Sequence, residues 1–126
     1  MTEKIFKMIK DNEVKFVDFR FTDPKGKWQH TAQTVESVDE DLLTNGIMFD
    51  GSSISGWKSI NESDMILKPD LETAVMDPFT AQPQLIIFCN VVEPSTGEMY
   101  SRCPRSTAVR ASNYLKETGI ADTAFF

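Results

Sequence analysis

The first half of the chain changes from a helical spacing of apolar residues to a strand-like alternation. Residues 2–12 (TEKIFKMIKDN) put their apolar side chains on one broad stripe with lysines between them, which predicts a short amphipathic helix beginning near Thr2. Residues 13–35 form two alternating runs around the turn sequence DPKG at 23–26, so they predict a β-hairpin.

A short helix and a loop follow the hairpin. Residues 36–46 (ESVDEDLLTNG) predict a helix whose last residue, Gly46, suits a left-handed position. Residues 46–54 resume as extended chain and lead into a loop. Residues 65–79 then predict two strand-like pieces, broken at residues 69–70 (PD) and stopped at residues 77–78 (DP).

The last third predicts a second hairpin, a helix and a final strand. Residues 83–102 contain a long apolar run, a turn from Pro94 to Gly97 and a short return strand. Pro104 then opens a helix that Gly119 closes, with an apolar stripe at helical spacing. The apolar stripe of this helix consists of Ala108, Ala111 and Leu115. Residues 120–126 predict one more strand.

These elements predict an α+β domain with a mixed sheet and short helices packed on one side of it. The chain has 126 residues, of which 40% are apolar and 25% charged, so we expect one globular domain with a continuous core. Phe125 and Phe126 would end the last strand as two large rings on an unpaired edge, which indicates a piece of a longer protein.

Charge and cysteine usage narrow the class of protein. A net charge of −6 disfavours nucleic acid and anionic membranes as partners. No apolar run approaches a membrane span and no signal peptide opens the chain, so we expect a cytoplasmic protein. Cys89 and Cys103 form no CxxC pair and are expected to be reduced. His30 is the only histidine, so it is expected on a strand surface rather than at a metal.

The loop FDGSSISGW at residues 49–57 is the best candidate for chemistry. Asp50, followed by Gly51, can present its carboxylate outward to bind a cation or accept a proton. The serines after it, Ser52 and Ser53, are placed to hydrogen-bond the carboxylate or the loop backbone. The alternative is an Asx turn capped by its own serines, without a function. Trp57 is either a core residue or an exposed aromatic that docks on another surface.

Other charged residues leave two interpretations open. Glu62, Asp64 and Asp70 are interpreted as solvated acids near turns, with an Asp64 contact across an interface as the alternative. Arg102 and Arg105 flank the start of the last helix, where positive charge opposes the helix dipole. They form either a solvated pair or part of a partner surface. No phosphate loop, dinucleotide fingerprint or zinc motif occurs in the sequence.

Several separate motifs together resemble the N-terminal domain of bacterial type I glutamine synthetase. They are KFVDFRFTDPKGKWQH (15–30), NGIMFDGSSISGWKSINESDMILKPD (45–70), AVMDPF (74–79) and YSRCPRSTAVRASNYLKETGIADTAFF (100–126). The resemblance covers the whole chain, 1–126, and the version with NESDM is similar to the subtype regulated by adenylylation. One departure is Cys103, which stands where the family commonly has an aspartate at the helix N-cap; the expected cost is about 1 kcal/mol of helix stability.

The resemblance implies a β-grasp (ubiquitin-like) fold and a ligase activity. Family members join ammonia to glutamate with ATP and Mg or Mn through a γ-glutamyl phosphate, and they assemble as dodecamers. Each active site lies between subunits, where the N-terminal domain of one subunit completes a site built mainly by the C-terminal domain of the next. The family's metal ligands, its nucleotide site and its adenylylated tyrosine lie beyond this chain. We therefore expect no metal or ATP to bind the chain alone, and the chain alone to be inactive.

The resemblance also assigns roles to four residues. Asp50 matches the aspartate that binds ammonium and takes its proton, and Ser53 matches a serine beside that site. Trp57 and Asp64 match residues on the surface between subunits near the site.

Two other hypotheses compete with the synthetase domain. One is a free-standing ubiquitin-like interaction module that binds a partner through Trp57 and the edge at Phe125 and Phe126. The other, an independent carboxylate hydrolase, lacks a nucleophile, base or metal constellation to accompany Asp50.

Overall fold

The computed structural model describes residues 1–57 and 63–124. The described part contains helices and strands with these bounds: α1 Thr2–Asp11, β1 Phe16–Thr22, β2 Trp28–Thr34, α2 Glu40–Asn45, β3 Ile47–Asp50, β4 Asp64–Pro69, β5 Val75–Met76, β6 Gln84–Val92 and α3 Pro104–Thr118. Short 3-10 turns cover Val35–Ser37, Gly51–Ser53 and Leu71–Thr73. The amphipathic α1, the break after β4 and the long β6 are confirmed as predicted.

The six strands form one mixed sheet in the order β2-β1-β6-β4-β3, with β5 paired to β6 outside this path. β1 and β6 run parallel, and the other pairs are antiparallel. The predicted hairpin is confirmed, and its turn is held by Asp23, whose Oδ1 accepts hydrogen bonds from the backbone N–H groups of Lys25 and Lys27, each at 2.9 Å. A mixed sheet with short helices confirms the α+β class.

The core lies on one face of this sheet, because successive strand residues point to opposite faces. Val17, Phe19 and Phe21 of β1 point into the core, while Arg20 and Thr22, which flank Phe21, are less buried. Helix α1 adds Ile5, which is fully buried. The remaining buried side chains include Leu43, Trp57, Met65, Leu67, Leu85, Ile87, Cys89, Val91, Tyr100 and Cys103.

Three local predictions were wrong or incomplete. Gly46 has the positive φ of 92° that was expected, but its ψ of −171° is extended rather than left-handed helical. The return strand after the Pro94 turn is reduced to a single bridge between Val92 and Met99. Residues 120–124 form no strand, and the rest of that predicted strand, Phe125 and Phe126, lies outside the described residues.

Helix α3 ends as predicted, with Gly119 in the left-handed conformation, but its apolar stripe is not a core face. Ala108 and Ala111 are exposed and Leu115 is half-buried. The helix instead buries Ser106 in its first turn. Since alanine side chains offer little apolar area, packing of the first turn outweighs the spacing pattern.

The single histidine lies on a strand surface as predicted, and the two cysteines are unpaired as expected. His30 is on the surface of β2, and both cysteines are free thiols, buried in the core. Within the described residues, no helix combines the length and apolar character needed to cross a bilayer.

Candidate active site

Asp50 is the last residue of β3, and the alternation of the strand turns it away from the core. Its neighbour Phe49 packs inward against Phe21, with ring centroids 5.3 Å apart. Asp50 therefore points to the outer face of the sheet, where it is exposed. Beyond it the chain leaves the sheet and enters the loop of residues 51–57, which we call the Asp50 loop.

The first turn of the Asp50 loop is organised by the Asp50 carboxylate itself. Oδ1 accepts hydrogen bonds from the backbone N–H of Ser52 at 2.9 Å and from the Ser52 hydroxyl at 2.6 Å. Gly51 donates its N–H to the carbonyl of Ser63 at 2.6 Å, which ties the turn to the start of β4. The predicted Asx turn is thus present, and it holds an exposed carboxylate in a fixed orientation.

These hydrogen bonds lower the pKa of Asp50. The Ser52 hydroxyl contributes most, followed by the Ser52 backbone N–H; desolvation opposes them, and the hydroxyl of Ser63 adds the smallest lowering effect. Each donor stabilises the charged form of the carboxylate. Asp50 therefore carries a full negative charge at neutral pH.

A second carboxylate stands beside Asp50. In the antiparallel register of β3 and β4, Asp64 is directly opposite Asp50, and both residues are exposed. Opposed residues of an antiparallel pair project from the same face, with Cβ atoms about 5 Å apart. The role of Asp64 at a subunit interface stays a prediction, as does the ammonium role of Asp50. Glu62, the other acid considered in this stretch, lies outside the described residues.

The sequence placed two serines next to Asp50, and the structure distinguishes them. Ser52 supplies both hydrogen bonds to the carboxylate, whereas Ser53 is exposed at the end of the 3-10 turn. The role of Ser53 beside a substrate stays a prediction. In an Asx turn the aspartate binds the backbone two residues further along the chain, so the spacing of Asp50 and Ser52 was the sequence signal that favoured Ser52 over Ser53.

Trp57 closes the Asp50 loop as a core residue, the first of its two predicted alternatives. Its side chain is buried, at 6% exposure, among three aromatic rings. Its ring centroid lies 5.8 Å from that of Phe21, 6.3 Å from that of Phe49 and 5.6 Å from that of Tyr100. Its indole Nε1 donates to the carbonyl of Arg102 at 3.3 Å. A contact of Trp57 with a neighbouring subunit stays a prediction.

The two arginines at the start of α3 both bind within the chain, which neither predicted alternative included. Arg102 donates from Nη1 to the carbonyl of Gly56 at 3.2 Å. Arg105 donates from Nε to the side-chain oxygen of Asn90 at 2.8 Å and forms an ion pair with Asp70. Their partners are distant in sequence, so spacing patterns gave no signal for them.

A cleft of about 150 Å³ lies on the outer face of the sheet and is lined by Asp18, Arg20, Trp28 and His30. The buried carboxylate of Asp18 accepts hydrogen bonds at 2.7 Å from Arg20 Nε and at 2.7 Å from His30 Nδ1. Arg20 also reaches Asp77 at 3.3 Å and lies 5.6 Å from the centre of the Trp28 ring. The charges of this cleft are therefore largely paired with one another.

The described residues bring together no group of three or more histidine, cysteine, aspartate or glutamate side chains that suits a metal ion. Asp50 and Asp64 are a pair of carboxylates, which is short of the donor set of a divalent cation site. The arrangement suits binding of a monovalent cation through charge and hydrogen bonds.

Comparison with known families is consistent with this geometry. The family model described as "Glutamine synthetase, beta-Grasp domain" matches residues 13–94, which cover the sheet from β1 to β6 and the Asp50 loop. The β-grasp fold implied by the sequence resemblance is thereby confirmed.

Curated relatives match along nearly the whole chain. A glutamine synthetase from Azospirillum brasilense is 63% identical over 123 residues, which are 98% of this chain and 26% of the relative. A protein named 3-hydroxylaminophenol mutase from Cupriavidus pinatubonensis is 57% identical over 122 residues, which are 97% of this chain and 26% of the relative. The chain thus spans about a quarter of the length of the curated relatives it matches.

Among solved structures, the chain is similar to a cryo-EM structure of Plasmodium falciparum glutamine synthetase. The TM-score is 0.83 at 24% identity, and the match covers 94% of this chain and 23% of that one. At this level of identity the similarity supports the fold.

Proposed function

The chain belongs to the glutamine synthetase β-grasp domain family, and on that premise we propose that it is the N-terminal domain of a glutamate–ammonia ligase. The full-length protein would make glutamine from glutamate and ammonia with ATP, through γ-glutamyl phosphate. This domain would supply Asp50 as the group that binds ammonium and accepts its proton. The observation that carries the proposal is the exposed, charge-stabilised carboxylate of Asp50 at the end of β3.

Ammonium binding follows from the charge and orientation of the site. An ammonium ion has four N–H donors and one positive charge, and a carboxylate offers acceptors and the opposite charge. Because the pKa of Asp50 is lowered, the carboxylate stays ionised through the neutral range. Asp64, opposite Asp50 in the sheet, adds negative charge nearby. The proposed cation would also offset the repulsion between the two acids.

Proton transfer to Asp50 needs the electrophile. Amines titrate near pH 8 to 10, several units above a carboxylate, so Asp50 alone would bind ammonium without deprotonating it. Ammonium has no lone pair, so one of its protons must pass to Asp50 before the nitrogen can attack the acyl phosphate. That attack expels phosphate and consumes the neutral ammonia, which draws the proton transfer to Asp50 forward. In this proposal the loop holds the acceptor in place before the electrophile is presented.

The remainder of the active site is proposed to lie in the rest of the protein. ATP and Mg or Mn would be bound outside this chain, where they would form and stabilise the acyl phosphate. We further propose that the site lies between subunits of a homo-oligomer, a dodecamer in the family pattern, with this domain facing the catalytic part of a neighbour. Ser53 is proposed to line the ammonium site, and Trp57 and Asp64 to lie near the contact with that neighbour.

The alternative of a ubiquitin-like interaction module loses its main docking residue. That hypothesis used Trp57 as an exposed anchor, and the indole is buried in the aromatic cluster. Its other element, the edge at Phe125 and Phe126, lies outside the described residues.

The proposal is tested in the full-length protein with Asp50→Asn, which keeps the shape of the side chain and removes its charge. We expect kcat/KM for ammonium to fall by about 10²- to 10⁴-fold, the usual contribution of a general base. Asp41→Asn, a matched change at an exposed acid on α2, should leave the rate unchanged.

A second nucleophile separates ammonium binding from a general loss of activity. Hydroxylamine is largely neutral near pH 7, so it needs less charge stabilisation and less deprotonation than ammonium. We expect Asp50→Asn to impair the hydroxylamine reaction less than the ammonium reaction. A variant that keeps the wild-type ammonium rate would refute the proposed role of Asp50.

A further inference from the structure

We propose that Arg102 is a positioning residue for the ammonium site, because it fastens the far end of the Asp50 loop to the segment that directly precedes α3. The inference rests on the proposed function of Asp50 and adds a residue that acts through the loop. Arg102 does not contact Asp50 itself, and it is distinct from the acids and serines considered above.

Arg102 makes two hydrogen bonds to the end of the Asp50 loop, one as a donor and one as an acceptor. Arg102 Nη1 donates to the carbonyl of Gly56 at 3.2 Å, and the carbonyl of Arg102 accepts from Trp57 Nε1 at 3.3 Å. The side chain of Arg102 thus binds one end residue of the loop, and its backbone binds the next. A loop held at Gly56 and Trp57 and joined to β3 at Asp50 is constrained at both ends.

The segment that carries Arg102 is itself fixed to the sheet. The Tyr100 N–H donates to the carbonyl of Val91 on β6 at 2.8 Å, and the Cys103 N–H donates to the carbonyl of Tyr100 at 3.1 Å. Arg105, one turn further, binds Asn90 on β6 at 2.8 Å. The backbone of Arg102 is therefore held against β6, and the hydrogen bond from its side chain to Gly56 holds the Asp50 loop in a fixed position relative to the sheet.

A short chain of backbone hydrogen bonds connects the fastened end to the start of the loop. The Trp57 N–H donates to the carbonyl of Ile54 at 3.1 Å, and the Ile54 N–H donates to the carbonyl of Gly51 at 3.2 Å. Gly51 directly follows Asp50. A displacement of Gly56 and Trp57 would therefore reach the residue next to the carboxylate, and a shift of about 1 Å in a catalytic group can cost about 10²-fold in rate.

The location of Arg102 is unfavourable on local grounds, which supports a role beyond the helix. A cation at the N-terminus of α3 opposes the helix dipole. The hydrogen bond to Gly56 is exposed to solvent, so its net contribution to folding is small. Substitution of Arg102 should consequently disturb the loop more than the fold.

The test compares Arg102→Ala and Arg102→Lys with Arg110→Ala in the full-length protein. Arg110 lies on α3, is exposed, and binds Thr107 at 3.2 Å rather than the loop. We expect Arg102→Ala to raise the KM for ammonium about tenfold while the KM for ATP and the melting temperature stay close to wild type. Arg102→Lys should raise the KM for ammonium less than Arg102→Ala does, because the lysine ammonium group can still donate to the carbonyl of Gly56. Arg110→Ala should match the wild type.

Three results would overturn the inference. If Arg102→Ala and Arg110→Ala have the same KM for ammonium while Asp50→Asn is severely impaired, the positioning role fails and the proposed function stands. If Arg102→Ala lowers the melting temperature and impairs the kinetics for every substrate equally, the residue is structural. If Asp50→Asn keeps the wild-type rate, the proposed function fails, and this inference fails with it.

Discussion

Asp50 and Asp64 stand directly opposite each other at the outer end of the β3–β4 pair. Like charges directly opposite each other in a sheet repel. The Ser52 hydrogen bonds stabilise the Asp50 carboxylate against that repulsion and keep it ionised. The domain thereby maintains two adjacent negative charges at one exposed edge.

Ser52→Ala should raise the pKa of Asp50. The hydroxyl of Ser52 is the largest contributor to the lowered pKa, and its loss removes stabilisation from the charged form alone. The backbone N–H of Ser52 remains, so the pKa should rise only part of the way to its ordinary value. An NMR titration of the Asp50 carboxyl carbon measures the change. Ser53→Ala is the matched control and should leave the titration where it is; equal shifts in the two variants would contradict the geometry.

Trp57→Ala should strongly destabilise the domain. The indole is buried among three aromatic rings, and truncation of a buried Phe or Trp costs about 3–5 kcal/mol. Trp28→Ala removes an identical side chain that is 56% exposed, so its cost should be about 1 kcal/mol. Urea unfolding of the two variants gives both free energies. Equal costs would contradict the burial of Trp57.

Gly46→Ala should be far more disruptive than Gly97→Ala. At Gly46 the backbone has φ 92° and ψ −171°, a conformation nearly restricted to glycine, and a Cβ there would lie 2.4 Å from the carbonyl oxygen of Leu67. Gly97 has φ 70°, and its Cβ would meet nothing within 4 Å. We expect a loss of about 3 kcal/mol or more at Gly46 and about 1 kcal/mol at Gly97, measured by thermal unfolding. Similar losses would argue against the tight approach of Gly46 to β4.

Cys89 should resist alkylation in the folded protein. Burial raises the pKa of its thiol to about 12, with Arg105 opposing the shift. The reactive thiolate is then about 10⁻⁴ of the population at pH 8. Iodoacetamide labelling followed by mass spectrometry should find the Cys89 peptide unmodified in buffer and modified in concentrated urea. Modification in buffer at the rate of a free thiol would contradict the buried position.

The sequence predicted the elements that local chemistry determines. The DPKG turn, the first helix and the closing of α3 at Gly119 each depend on residues within a few positions of one another, and each is confirmed. The spacing of Asp50 and Ser52 likewise predicted an Asx turn. Local patterns failed for α3, where tertiary contacts of the first turn determine which side chains are buried.

The arrangement around the candidate site depends on contacts between distant segments. Arg102 reaches Gly56 across 46 positions, and Arg105 reaches Asp70 across 35. The periodicity of either segment contains no information about such a pair. For the same reason the sequence left the burial of Trp57 open, because the residues that cover it, Phe21 and Tyr100, come from opposite ends of the chain.

The central proposal, that Asp50 completes a site on a neighbouring subunit, is tested most directly with mixed oligomers. Asp50→Asn protein would be reassembled at equal ratio with a variant inactivated in the part of the protein that follows this chain. Neither variant is active alone. With random mixing, about a quarter of the interfaces should pair the intact Asp50 of one variant with the intact catalytic part of the other. Recovery of about a quarter of the wild-type ammonium-dependent rate is the predicted result. A mixed oligomer as inactive as its two components would contradict a site shared between subunits.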